Sequence, residues 1–235
     1  EGTSHSLAIG KSASSSDNDA IAIGHQSTAS NVQSSAIGSN STASGKQSTA
    51  LGFKSTASDM QSIAIGSNAT ASGSKAIAIG SESQSTNKTT VSIGHFAKAL
   101  GNRAAAFGFN ATATGEHSQA SGDNAKASGN QSIAIGRSAN ASGRHAQASG
   151  FKATASGNHA QASGYQANAS GIQSQALGYR ANASGNNSIA LGANVTASGS
   201  LSTAIGRAAN ASGNSSQAFG FKASAGVKGT AIEIG

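Results

Sequence analysis

The side chains that could do chemistry in this 235-residue chain are few. Its eight acids, Glu1, Asp17, Asp19, Asp59, Glu82, Glu116, Asp123 and Glu233, form no pair suited to general acid–base work. Asp17, Asp59 and Asp19 are explained by turns. Serines are abundant, but a nucleophilic Ser needs a positioned base and an orienting acid, and no such set can be assembled. The absence of Cys excludes a disulfide scaffold and a thiolate metal site. No phosphate-cradling glycine motif is present. The expectation is therefore no enzyme, no catalytic residue and no cofactor. His145 and His159 lie fourteen residues apart and His117 lies twenty-eight before His145. If fourteen residues separate equivalent positions, such imidazoles stack about 5 Å apart and could share a metal. The same positions elsewhere hold Gln33, Gln47 and Gln131, so exposed turn residues are expected and no metal site is assigned.

Binding chemistry is better represented. Phe151, Tyr165 and Tyr179 recur at intervals of fourteen, and Lys152 and Arg180 directly follow an aromatic residue. Phe53, Phe109 and Phe221 occupy the same position in other units. Exposed aromatics beside cations are typical interaction material, so Phe151, Lys152, Tyr165, Tyr179 and Arg180 are the candidate ligand contacts; the competing reading is a ladder that stiffens turns. Fifteen Lys and Arg give a net charge of +7 without forming a run along the chain. The balance favours anionic partners such as sulfated glycans or acidic matrix. Nucleic acid is not expected, because no binding motif or basic stripe is evident.

The elements that position these groups follow from a repeat. From Gly10 to Gly220, every fourteenth residue is Gly, sixteen times without an insertion. Seven residues after these glycines, eleven of fifteen sites are again Gly, and the others are Asp17, Asn31, Asp59 and Asn87. Asn and Asp best tolerate a left-handed backbone, so this column is read as needing positive φ. Gly66, Gly73, Gly136 and Gly143 exemplify the two turns of each unit. Between turns, side chains alternate with period 2, the mark of short strands. Two residues before the main Gly the residue is Ala, except Ser92; five after it is Ala, except Ser15 and Ser85. Positions four before and three after are also small, apart from Val195. Four small columns describe the inside of a narrow two-strand coil. Leu, Ile, Val and Phe number only 33 of 235 residues, too few for a conventional globular core. The fold class expected is all-β: a parallel β-solenoid, or β-roll, of about sixteen coils of 14 residues.

One and three residues before each main Gly lies an outward face that is often apolar: Leu7/Ile9, Ile21/Ile23, Ile63/Ile65, Ile77/Ile79, Val91/Ile93, Ile133/Ile135 and Ile189/Leu191. Soluble monomers avoid a stripe of this length, so burial against other chains is expected. Asn140, Thr42 and Lys152 are read as the polar outer residues of the second strand.

Units such as Ser62-Ile63-Ala64-Ile65-Gly66 and Ala76-Ile77-Ala78-Ile79-Gly80, each followed by the half-period turn, resemble the head repeats of trimeric autotransporter adhesins, the YadA-like heads. The resemblance covers residues 6–225. It implies a left-handed roll, a homotrimer, and display on the Gram-negative outer-membrane surface with stalk and anchor elsewhere. It also implies attachment to host cells or extracellular matrix. No stretch of this chain is apolar enough to span a membrane, and no membrane contact by this fragment is expected.

Three coils depart from the apolar face, at Gln119/Ser121, Gln147/Ser149 and Gln161/Ser163. If that face lines a trimer, rings of Gln bridged by water are expected there. At the end Glu233 is read as standing where Ala belongs, which divides the chain into roll (1–225) and irregular end or neck (226–235). Two other functions compete with adhesion. One is a passive rigid spacer. The other is an ice-binding solenoid, whose Thr column (Thr28, Thr42, Thr56, Thr70, Thr112, Thr154, Thr196) is interrupted by Lys98, Lys126 and several Asn.

Overall fold

A computed structural model describes residues 5–233. The chain divides into two units, Glu1–His117 and Ser118–Gly235. Each is a parallel β-solenoid of eight coils, and among the described residues there is no helix. Each coil has a three-residue strand, such as Ile63–Ile65, and a two-residue strand, such as Thr70–Ala71. The two strand types form separate parallel sheets, paired at fourteen residues: Ile63 with Ile77, and Thr70 with Gln84.

The four small columns are the core. Ala20, Ala22, Ser27 and Ala29 of one coil are all 0% exposed, and the pattern recurs through both units. Side chains as small as Ala and Ser let the two sheets approach until little room remains. Many of the buried hydroxyls are satisfied locally, although those of Ser48, Ser132 and Ser202 have no partner. Ser27 Oγ donates to Gly24 O at 3.0 Å and Ser188 Oγ to Gly185 O at 2.6 Å. The two departures from Ala in adjacent coils also meet: Ser85 Oγ lies 2.9 Å from Ser92 Oγ and 2.6 Å from Ile77 O.

The turns differ from the expectation. The main-turn glycines have φ between 114° and 139°, but the half-period glycines, Gly73 and Gly143 among them, are not left-handed. The left-handed residue comes two positions after each turn Gly or Asx, in both turns, with φ between 48° and 60°. What restricts the half-period column is close approach. A Cβ on Gly143 would stand 2.0 Å from Gly157 O in the next coil. On Gly136 it would stand 2.6 Å from Gly150 O, on a backbone with φ of 120° as well. Asx residues earn their place in the half-period column differently: Asp17 and Asp59 accept the N–H of Asn18 and Met60 at 2.7 and 2.6 Å. At three of the Gly sites, Gly143, Gly171 and Gly199, an Asn from the following coil does this work. Asn158, Asn186 and Asn214 accept the N–H groups of Arg144, Ile172 and Ser200.

A left-handed conformation costs an ordinary residue roughly 1–2 kcal/mol. Past the first coil such residues recover a backbone bond to the coil before, as in Gln26 N–H to Lys11 O at 2.9 Å and His159 N–H to Arg144 O at 2.8 Å. The net value of such a bond is about 1 kcal/mol, so the strain is offset only where coils are stacked.

The C-terminal register also differs from the sequence reading. After Ser224–Ala225 the turn is one residue shorter, and Thr230–Ile232 pairs with Gln217–Phe219 at a spacing of thirteen. The slip keeps small Ala231 opposite Ala218. Glu233 therefore falls beside Gly220, in the glycine column and not in the Ala column.

Candidate binding surface

The outward sheet face is as the alternation predicts. Ile21, Ile23, Ile63, Ile65, Ile77 and Ile79 are half-buried in the single chain, as are Val91, Ile133 and Ile189. Leu7, Ile9, Ile93, Ile135 and Leu191 are between 40% and 52% exposed. Gln147/Ser149 and Gln161/Ser163 lie on the same face of the second unit, exposed and in register with each other and with Ile133/Ile135.

On the opposite strand, Thr28, Thr42, Thr56 and Thr70 form a register-paired column in the first unit, which then changes to Gln84 and Lys98. Asn140 and Thr42 lie on this outer face, half-buried. Lys152 does not: it is the exposed left-handed residue of a main turn, with φ of 53°.

The main-turn edge of the second unit gathers the aromatic residues. Phe151 and Tyr165 stack at 5.1 Å and 17°, and Tyr165 and Tyr179 at 5.0 Å and 7°. The coil step of about 4.8 Å is near the spacing that stacked rings need. Arg137, one coil before Phe151, lies with its guanidinium 4.6 Å from that ring centre, and Lys152 Nζ lies 5.3 Å from it. Arg180 lies 5.2 Å from Tyr179 and donates from Nε to Gln166 Oε1 at 3.0 Å. Farther along, Arg207 and Lys222 flank Phe221 at 5.6 and 5.0 Å. Arg137 and Arg207 escaped sequence reasoning because their rings lie one coil away, not next in the chain; the shared fourteen-residue column was the available signal.

This edge also holds a basic row that the chain order conceals. The second unit has eight Lys and Arg against two acids, and the first has seven against six. Five of the eight cations, Arg137, Lys152, Arg180, Arg207 and Lys222, stand in main turns, all exposed. No acid occurs between Asp123 and Glu233.

The histidines from His25 onward stay in turns. His145 and His159 stack at 4.7 Å and 14°, both left-handed, in the column where Gln33, Gln47 and Gln61 form an amide ladder at 3.0 and 3.1 Å. His117, in the first unit, lies 3.8 Å from Glu116. Among the described residues no three His, Cys, Asp or Glu gather into a metal-sized group. The first unit has its own aromatic cluster, with His95 4.0 Å from Phe96 and 5.6 Å from Phe109.

A sequence model of the family described as YadA head domain repeat (2 copies) matches this chain twelve times. The matched residues are 4–27, 18–41, 29–55, 43–69, 57–83, 85–111, 108–125, 113–139, 127–146, 148–167, 169–194 and 197–223. No curated protein matches the chain.

Proposed function

The chain belongs to the YadA head family, and from that premise we propose that it is the head of a trimeric autotransporter adhesin. In this reading it is displayed on the outer-membrane surface of a Gram-negative cell and attaches that cell to host cells or extracellular matrix. Attachment uses a repetitive surface on which many weak contacts add by avidity.

The observation that carries the reading is the outward Ile-Ala-Ile face. Its Ala is buried, as at Ala64 and Ala134, while its apolar pairs are left half-buried or exposed, Leu7 and Ile135 each at 45%. A column of such pairs is unfavourable in water at about 25 cal/mol per Å², and copies of the same chain supply a matching column. The Gln/Ser coils then line a wetter stretch of the same interface.

Two measurements test it. Light scattering on the purified chain is expected to give about 68 kDa, three times the 22.6 kDa of one chain. The chain immobilised on beads is expected to bind cultured cells or matrix proteins saturably. No saturable binding would end the adhesin reading, and a mass of one chain would end the trimer.

A rigid spacer is the second reading, favoured by the sameness of the coils. It predicts the trimer mass with no binding by the isolated chain.

A further inference from the structure

We propose that the main-turn edge of the second unit, from Arg137 to Lys222, is a binding site for a linear sulfated glycan. This rests on the adhesive reading above and names the surface and the ligand class. The edge is a line because the coils stack: Arg137, Lys152, Arg180, Arg207 and Lys222 project from successive or alternate main turns over seven coils. Six coil steps of about 4.8 Å make a row of about 29 Å. Neutral Gln166 and Asn194 occupy the left-handed positions between the cations, where they can meet sugar hydroxyls. The Tyr165 and Tyr179 side chains, 41% and 46% exposed, add further hydrogen-bonding groups.

The arrangement of the rings selects among polyanions. Tyr165 has a ring against each of its faces, at 5.1 and 5.0 Å. Phe151 is covered by Arg137 on one side and Tyr165 on the other, and the Tyr179 ring carries Arg180 at 5.2 Å. A single-stranded nucleic acid needs a run of open aromatic faces for successive bases, and Phe151 and Tyr165, each covered on both sides, interrupt such a run. What the edge presents is charge, held in place by the rings, so less side-chain freedom is lost on binding. Adjacent cations such as Arg137 and Lys152, or Arg207 and Lys222, stand one coil apart. That density calls for more anions than the single carboxylate on every second sugar that hyaluronan carries. Arg also matches the planar or tetrahedral oxygens of carboxylate and sulfate with paired donors.

The test is titration of a size-defined heparin oligosaccharide into the chain at physiological ionic strength. One variant carries Arg137→Ser, Lys152→Gln, Arg180→Asn, Arg207→Ala and Lys222→Asn, each a residue type already present in its column. A charge-matched variant carries Lys46→Gln, Lys54→Gln, Lys75→Gln, Lys88→Gln and Arg103→Gln in the first unit. The edge variant is expected to lose at least about tenfold in affinity and to show a shallower salt dependence, while the charge-matched variant stays within about threefold. Equal losses in both would mean bulk charge and overturn the site. Equal competition by hyaluronan would overturn the sulfated class, and tighter competition by a single-stranded oligonucleotide would overturn the glycan. Circular dichroism of both variants separates lost binding from lost folding. Heparin binding with no cell attachment would retain this site and sink the adhesive reading; attachment without heparin binding would do the reverse.

Discussion

Ser85 Oγ lies 2.9 Å from Ser92 Oγ in the core of the first unit, where one sheet faces the other. Each residue interrupts a column that is otherwise almost all Ala. Two small polar groups have entered a tight apolar interior together, and each compensates the other. Replacing Ser85 alone by Ala leaves the Ser92 hydroxyl short of a partner, and the expected loss is about 1–3 kcal/mol. The double change to Ala restores the pattern of the other coils and is expected to be near neutral. Urea unfolding of the two single variants and the double variant would measure the coupling; strict additivity would contradict it.

The two glycine columns should respond differently to substitution. At Gly136 a side chain meets both a φ of 120° and the Gly150 carbonyl, and no other residue type occurs in that column from Gly10 to Gly220. Gly136→Asn is expected to cost several kcal/mol. Gly143→Asn also meets a carbonyl, that of Gly157, but on a backbone that is not left-handed and in a column the roll already fills with Asn31 and Asn87. It is expected to cost clearly less, by at least about 1 kcal/mol. Midpoints of thermal unfolding would rank the pair, and equal losses would count against the distinction.

Asn158 accepts the Arg144 N–H at 3.1 Å, and Asn186 the Ile172 N–H at 2.9 Å. Asn158→Ala and Asn186→Ala are each expected to cost about 0.5–1.5 kcal/mol. Arg144→Ala and Ile172→Ala, which leave the same N–H bonded, are expected to change stability by less than about 0.5 kcal/mol. Denaturant midpoints of the four variants decide it, and Asn changes no worse than their neighbours' would argue against the bond.

The outward face can be altered without touching the core. Ile133→Gln with Ile135→Ser reproduces the side chains of the coil at Gln147/Ser149. The roll of a single chain should keep its circular dichroism spectrum. The proposed trimer should dissociate at higher concentration than that of the unaltered chain, by about tenfold or more for two lost Ile side chains per chain. Sedimentation equilibrium would show it; an unchanged association constant would place these residues outside the interface.

Much of the fold could be read from the chain because its packing repeats locally. Ala22 and Ala64 are inside and Ile23 and Ile65 outside for one reason, the period-2 alternation, restated in every coil. The turns were harder. Sequence reasoning placed positive φ on Gly73 and Gly143, whereas it belongs to Lys75 and His145. Those left-handed positions hold Gln, Lys, His, Arg and Asn with little restriction, since their side chains point away from the tight interior. The available signal was negative: no Val or Ile stands at any of them, and Thr89 is their sole β-branched residue. The row from Arg137 to Lys222 was hidden for another reason. Its members are neighbours across coils, and along the chain they look dispersed.

Near-identical coils create a problem of address, since any coil could template almost any other. The Asn alternation of the second unit supplies a parity check. A coil that skipped one neighbour would set the Arg144 N–H against Ile172 in place of Asn158, and the mistake would lose that hydrogen bond. A skip of two would pass that check, for Asn186 would stand where Asn158 should. The Phe151–Tyr165–Tyr179 run is not periodic, so such a skip would break its stack and betray the error. The decorations on the turns therefore number the coils for a folding chain whose interior cannot count.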